Sequence, residues 1–246
     1  MRVGLLVTCL ADLMRPSIGL AALKLLERAG CDVVVPHTQT CCGQPGYNSG
    51  DRPAAQALAQ KLISEFSDCD YVVVPSGSCS GMIKTHYAEL LSELPEARAK
   101  AEWLAARTWE LTDFLVNVVK LDAVDVRFDG TVTYHDSCAG LREMGVKSQP
   151  RELLAKVAGL SIREMQDAEQ CCGFGGTFAI KYGDISARLA DLKCDEIAKS
   201  EADALVLGDL GCMLNIEGRL RRRGDNRTKV LHVAEVLAGM TGEEVE

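Results

Sequence analysis

The sequence predicts an α/β fold of two pseudo-symmetric lobes, each a parallel-sheet α/β unit carrying a Cys-Cys-Gly motif at the carboxyl ends of its strands. Three observations predict it. The chain repeats itself at long period. Its strands are near-continuous runs of Val and Leu alternating with helical patterns, as buried parallel strands are. Its cysteines recur just past those strands, where open α/β sheets place their sites.

The first half opens with an apolar strand, Val3 to Val7, followed by Cys9; the second half answers with Thr131 to Tyr134 and Cys138. A proline then precedes a helical pattern in each: Pro16 before Leu20, Leu23, Leu25 and Leu26, and Pro150 before Leu153, Leu154 and Val157. Gly30 and Gly159 are placed to stop these helices, since a C-terminal cap favours the left-handed backbone that glycine adopts freely. Cys41-Cys42-Gly43 and Cys171-Cys172-Gly173 follow, leading into helices at about Pro53 to Phe66 and about Ile185 to Lys199. Next come strongly apolar strands, Tyr71 to Val74 and Ala204 to Leu207, with Cys79 and Cys212 beyond them. Short strands at Thr108-Trp109 and Val230-Leu231 feed closing helices at Leu111 to Val118 and Val233 to Leu237. Four cysteines per half therefore match, each about 130 residues after its counterpart. The boundary falls near residues 121–129, giving lobes of 1–125 and 126–246.

At 246 residues the chain is long enough to bury a core without disulfides or metal. Its 27 Lys and Arg stand against 35 Asp and Glu, a formal charge of −8, and aromatic residues are only 5%. That balance argues against phosphate contacts and base stacking, and so against nucleic acid as a partner. No apolar run is long enough to span a bilayer, and the first, Val3 to Leu10, lacks the flanks of an export signal, so a cytoplasmic protein with no transmembrane segment is expected. In that compartment eleven cysteines read as ligands or redox groups rather than staples.

Adjacent cysteines such as Cys41 and Cys42 have α-carbons about 3.8 Å apart, below the range of roughly 4.4–6.8 Å that a disulfide prefers. Two neighbouring thiolates suit a multinuclear metal centre better, because separate ions accept them and offset their repulsion. Glycines after each pair let the loop approach a bulky group closely, and helices starting after Cys79 and Cys212 would aim amide donors at an anionic cluster. Tetrathiolate zinc is the competitor. Structural zinc uses tight paired knuckles, whereas these sulfurs come from three loops per lobe, which favours iron-sulfur.

The doubled pattern of Cys, then Cys-Cys-Gly, then Cys resembles the cysteine-rich CCG domain family, which includes the B subunits of heterodisulfide reductase and the iron-sulfur subunits of glycolate oxidase. The stretches Gln39 to Gly50, Pro75 to Cys79, Tyr134 to Cys138 and Arg142 to Lys147 are similar to the branch of that family serving lactate utilisation. The resemblance implies an iron-sulfur electron-transfer subunit of a bacterial complex that oxidises L-lactate to pyruvate, with the complex's other subunits, a ferredoxin-type iron-sulfur protein among them, as partners. It implies Cys9, Cys41, Cys42 and Cys79 as ligands of one cluster and Cys138, Cys171, Cys172 and Cys212 as ligands of the other, one or two [4Fe-4S] clusters in all, with zinc as the alternative in one lobe. One departure matters: the heterodisulfide reductase pattern ends each motif in Cys-x-x-Cys, and here the last positions are Met82 and Asn215. This disfavours a five-cysteine cluster and weakens a thiol-disulfide reductase reading, which stands as an alternative beside a zinc-stabilised scaffold.

The remaining candidates carry blander readings. Cys31, Cys69 and Cys194 lie outside the repeat and read as small buried hydrophobes, Met82 as packing, and Asn215 as a helix-start hydrogen-bonding group or a contact to a cluster. His135 and Asp136 are expected to orient the Cys138 loop, with proton transfer the sharper option. His86 and His232 read as surface positions, and His37 as a poor ligand. The basic run Arg219 to Arg223 reads as a solvated helix end, and Arg15 and Arg142 as possible carboxylate binders. The glycines at 173, 175 and 176 lack the strand-to-helix frame of a nucleotide loop.

Overall fold

A computed structural model describes residues 1–242. The first lobe runs β1 (Arg2–Leu5), α1 (Cys9–Met14), α2 (Ser17–Arg28), β2 (Asp32–Val34), α3 (Gln44–Ser49), α4 (Arg52–Glu65), β3 (Tyr71–Val74), α5 (Gly77–Gly81), a π-helical turn Met82–His86, α6 (Tyr87–Leu90), α7 (Pro95–Arg107), β4 (Thr108–Glu110), α8 (Leu111–Asp113) and a second π-helical turn Phe114–Val118. The second runs β5 (Arg127–His135), α9 (Cys138–Arg142), α10 (Ser148–Leu154), β6 (Ala158–Ile162), α11 (Phe178–Lys181), α12 (Gly183–Ser200), β7 (Ala204–Leu207), α13 (Leu210–Arg222), β8 (Lys229–His232) and α14 (Val233–Ala238).

Each lobe builds a four-stranded, wholly parallel sheet, in the orders β2-β1-β3-β4 and β6-β5-β7-β8. The shared order is the physical form of the sequence repeat. Leu5 pairs with Val73 as Tyr134 pairs with Val206, so Leu6 and His135 hold equivalent places one residue further on. The inner strand β7 is wholly buried and β3 is buried beyond its first residue, which is why these two read as near-continuous runs of Val and Leu.

The lobes share one core. Val3, Leu5 and Val73 of the first sheet and Val132, Tyr134 and Val206 of the second join a single apolar cluster, while each sheet's other face has a cluster of its own. Helices exchange partners across the middle: α2 packs on α14, and α10 on α8 and the π-helical turn after it. Arg15 joins Glu235 across this seam at 2.8 Å, and Ser17 donates to the same carboxylate at 2.6 Å. The fully buried Glu235 also accepts from the His232 amide, closing a capping box on α14.

Several local expectations need correction. Pro150 lies inside α10 rather than before it. Gly30 follows α2 with φ +77° as a helix stop requires, but Gly159 sits within β6, its positive φ accommodating close approach to Asp129 where β5 shifts register. Nothing in the repeat foretold α7, which the second lobe lacks among the described residues. Cys79 and Cys212 do not precede their helices; each is the third residue of one, behind the N-caps Ser76 and Asp209.

Candidate metal centres

The cysteines that the repeat singles out are brought together in two groups of four. In the first lobe Cys41 lies within hydrogen-bonding reach of Cys9 and Cys42, and Cys42 within reach of Cys79. In the second, Cys171 bonds with Cys138 and Cys172, and the Cys172 and Cys212 sulfurs are 3.0 Å apart. All eleven cysteines are free thiols. Cys31, Cys69 and Cys194 are buried within the apolar cores and bond to no member of either group, as expected.

Each group draws on the same three devices. Cys9 and Cys138 open the helices α1 and α9, whose caps Thr8 and Ser137 bond back to the Ala11 and Gly140 amides. The cap Thr8 holds φ +76°, an uncommon backbone state for a β-branched residue and a local strain beside Cys9. The paired cysteines precede Gly43 and Gly173, both at φ +85°, whose amides donate to the Cys41 and Cys171 sulfurs at 3.4 Å. Tyr87 and Asn215 then hold the carbonyls behind the pairs: the Tyr87 hydroxyl donates to Cys42 O at 2.7 Å and the Asn215 amide to Cys172 O at 2.8 Å. Asn215 is thus a backbone anchor, and Met82 is fully buried packing.

In each quartet the first member of the adjacent pair accepts from its neighbours. Hydrogen bonds from Cys42 and Cys9, together with the Gly43 amide, hold the Cys41 thiol down to about 3. Those from Cys138 and Cys172 hold Cys171 down to about 2, while the donors Cys9 and Cys138 are pushed up by the same bonds and by burial. One sulfur per quartet therefore already carries thiolate character, and a cation entering the group would draw the protons from the rest.

The lobes tie these sites together at their seam. Asp209 caps α13 through Oδ1, accepting from the Gly211 and Cys212 amides, while its Oδ2 accepts from Ser78 N at 2.8 Å and from the Ser76 hydroxyl at 3.2 Å. Ser76 in turn caps the helix that bears Cys79, so one carboxylate braces a cysteine helix in each lobe. A cavity of about 320 Å³ lies over Cys9, Cys41 and Cys79 and is closed on its far side by Phe174, Ile180 and Leu210 of the second lobe.

Other candidates settle elsewhere. His135 anchors the segment before Cys171, not the Cys138 loop: its Nδ1 lies 3.2 Å from Ala168 O. Asp136 takes a bidentate pair from Arg151 at 2.8 and 2.9 Å. His232 is fully buried, contrary to its surface reading, and its Nδ1 accepts from Ala234 N. The Arg219–Arg223 run is not a free basic end, because Arg219 and Arg223 clamp Asp191 and Asp195 of α12. Arg15 is engaged by Glu235, and Arg142 and His37 are exposed. Sequence reasoning passed over Lys193, fully buried near Cys172; its signal is a lysine at helical spacing from Ala190 and Ile197 on the buried face of α12.

The model of a family described as a cysteine-rich domain, CCG, matches residues 3–84 and 132–217, once per lobe. Lactate utilization protein A of Geobacillus kaustophilus is 48% identical over 237 residues, 96% of this chain and 98% of its own. Its namesake in Halalkalibacterium halodurans is 45% identical and covers 96% of both chains. The crystal structure of a hypothetical protein from Helicobacter pylori shares the fold, with a TM-score of 0.69 at 13% identity, covering 99% of this chain and 49% of that one, so this chain spans about half that protein's length.

Proposed function

This chain belongs to the cysteine-rich CCG domain family, and from that premise we propose that it is the iron-sulfur electron-transfer subunit of a complex oxidising L-lactate to pyruvate. A ferredoxin-type iron-sulfur protein is the partner class this reading calls for. The observation that carries it is the convergence of two separate thiol quartets, each at the carboxyl end of its own parallel sheet.

The donor set fits a [4Fe-4S] cluster in each lobe. Cys9, Cys41, Cys42 and Cys79 would hold one and Cys138, Cys171, Cys172 and Cys212 the other: four soft sulfurs from three segments, with glycine backbone drawn against the paired residues. When bound, such a cluster supplies reversible one-electron storage. The chain's own part is to tune it: the Gly43, Gly173 and Phe174 amides donate to cysteine sulfurs, which favours extra negative charge there. Cys42, Cys172 and Cys212 bury one side of each site, while the exposed Cys9 gives the first an edge toward solvent where a partner can come within electron-transfer reach. Among the described residues no helix is long and apolar enough to cross a membrane, so contact with a membrane complex would run through other subunits.

Anaerobic purification and reconstitution test this. The expected product is a brown protein with about four iron and four sulfide per lobe and two paramagnetic signals on reduction, one lost in Cys42→Ser and the other in Cys172→Ser. A colourless protein without iron or sulfide would refute the reading, and stoichiometric zinc in one lobe would replace it there.

A further inference from the structure

The two sites differ where the repeat is broken. At the place of Leu6 the second lobe has His135, and at the place of Leu62, one helical turn beyond the leucines that pack under Gly43 and Gly173, it has Lys193. Leu6 and Leu62 show that this scaffold packs these positions with aliphatic side chains. His135 and Lys193 are instead two polar groups sunk to 1% and 0% exposure beside one quartet.

Their hydrogen bonds fix which imidazole nitrogen carries the proton. The His135 Nδ1 lies 3.2 Å from Ala168 O, and a carbonyl only accepts, so the ring proton belongs on Nδ1. The same carbonyl receives Asp136 N at 3.1 Å and the Lys193 ammonium at 3.3 Å; Lys193 also donates to Asp167 O. Nε2 is then a bare lone pair, buried and without any hydrogen-bond partner. A ring nitrogen of His135 and the Cys172 and Cys212 sulfurs all lie within 4.8 Å of one another, and with Nδ1 engaged by Ala168 O the nitrogen left open to them is Nε2.

A ring held by Nδ1–H to a backbone carbonyl, presenting Nε2 to soft donors, is the arrangement by which proteins orient a metal-ligating histidine. Resting on the reading that the quartets hold metal, we propose that His135 Nε2 is a nitrogen donor of the second-lobe centre, which is thereby a mixed sulfur and nitrogen site while the first is all sulfur. Lys193 is a positioning residue for it, holding the Ala168 carbonyl that sets the ring. The duplicated chain thus carries two chemically distinct centres rather than two copies of one.

The test uses the full-length chain with the first quartet disabled by Cys41→Ser and Cys42→Ser, grown with ordinary or 15N-labelled histidine and reconstituted anaerobically with iron and sulfide. Pulsed electron paramagnetic resonance of the reduced centre is expected to show one strongly coupled nitrogen that takes the 15N pattern on labelling and is lost in His135→Leu, which installs the residue of the first lobe. The labelled parent keeps His135, so its result stands even where the leucine variant fails to fold. A loaded centre whose spectrum ignores the label, or shows only the weak coupling of an imidazole hydrogen-bonded to sulfur, overturns the nitrogen donor and leaves the iron-sulfur reading intact. A chain that takes up neither iron nor sulfide overturns the nitrogen donor and, with it, the iron-sulfur reading of the second lobe.

Discussion

Single residues in this molecule carry charge into places that elsewhere hold only hydrocarbon. Glu110, fully buried at the end of β4, caps α8 by accepting from the Thr112 and Asp113 amides and the Thr112 hydroxyl. Burial nonetheless outweighs those bonds and lifts its carboxyl to about 7. In the unfolded chain the carboxyl ionises near its ordinary value, so the folded state is favoured most at pH below that value. Stability then falls as pH rises toward 7 and is flat above, a loss of roughly 3 kcal/mol in all. Glu110→Gln keeps an acceptor oxygen and removes the titration. Urea unfolding of both proteins at about pH 5 and about pH 8 should show the variant gaining by that amount at the higher pH; an unchanged gap would rule out a raised Glu110. Little at this scale was legible in advance. The eight repeated cysteines stood out because repetition marks them, whereas Glu110 and His232 gave no local pattern, and their burial comes from packing between distant strands and helices.

At the scale of elements, the repeat told most of what there was to tell. Alternation of Val-rich strands with helices identified both sheets and their parallel sense, because parallel neighbours need the long crossover that a helix between strands supplies. Helix boundaries were less legible: Ser76 and Asp209 are the true starts of α5 and α13, and only the cap geometry reveals it. The turns after the cysteine pairs yield a comparison between lobes. Both glycines have left-handed φ, but a β-carbon at Gly173 would stand 2.6 Å from Ser186 O, against 3.3 Å from Ala55 O at Gly43. Gly173→Ala should therefore cost about 1–3 kcal/mol and strip metal from the second site, with Gly43→Ala the milder of the two. Melting of the metal-free proteins and iron content after reconstitution check the order, which equal losses would contradict.

As a whole molecule the protein is held by what crosses between lobes rather than by each lobe alone. The common core and the exchange of α2 and α14 make separate unfolding of the two halves unfavourable. Glu235→Ala, in the second lobe, leaves Arg15 without its ion-pair partner and Ser17 without its acceptor, at a cost of about 1–3 kcal/mol, since Arg15 is partly solvated and keeps its bond to Val230 O. Both tryptophans, Trp103 and Trp109, lie in the first lobe. Their fluorescence should nevertheless shift its unfolding midpoint together with far-ultraviolet circular dichroism; a fluorescence midpoint that stays put would mean the lobes melt independently. None of this seam was visible in sequence, because the repeat describes each lobe and is silent on how the copies face each other.

The uneven cover of the two quartets has a consequence for how the protein ages. Each quartet holds one thiolate-like sulfur, so what separates the two in sulfur oxidation is how openly oxidant reaches them. Cys9 stands open to solvent at the mouth of a cavity, while Cys172 and Cys212 are sealed beneath their lobe. If the quartets hold the proposed clusters, a sample left in air will not fade evenly: damage begins at one end of the molecule, and a half-spent chain keeps its second centre after the first has gone.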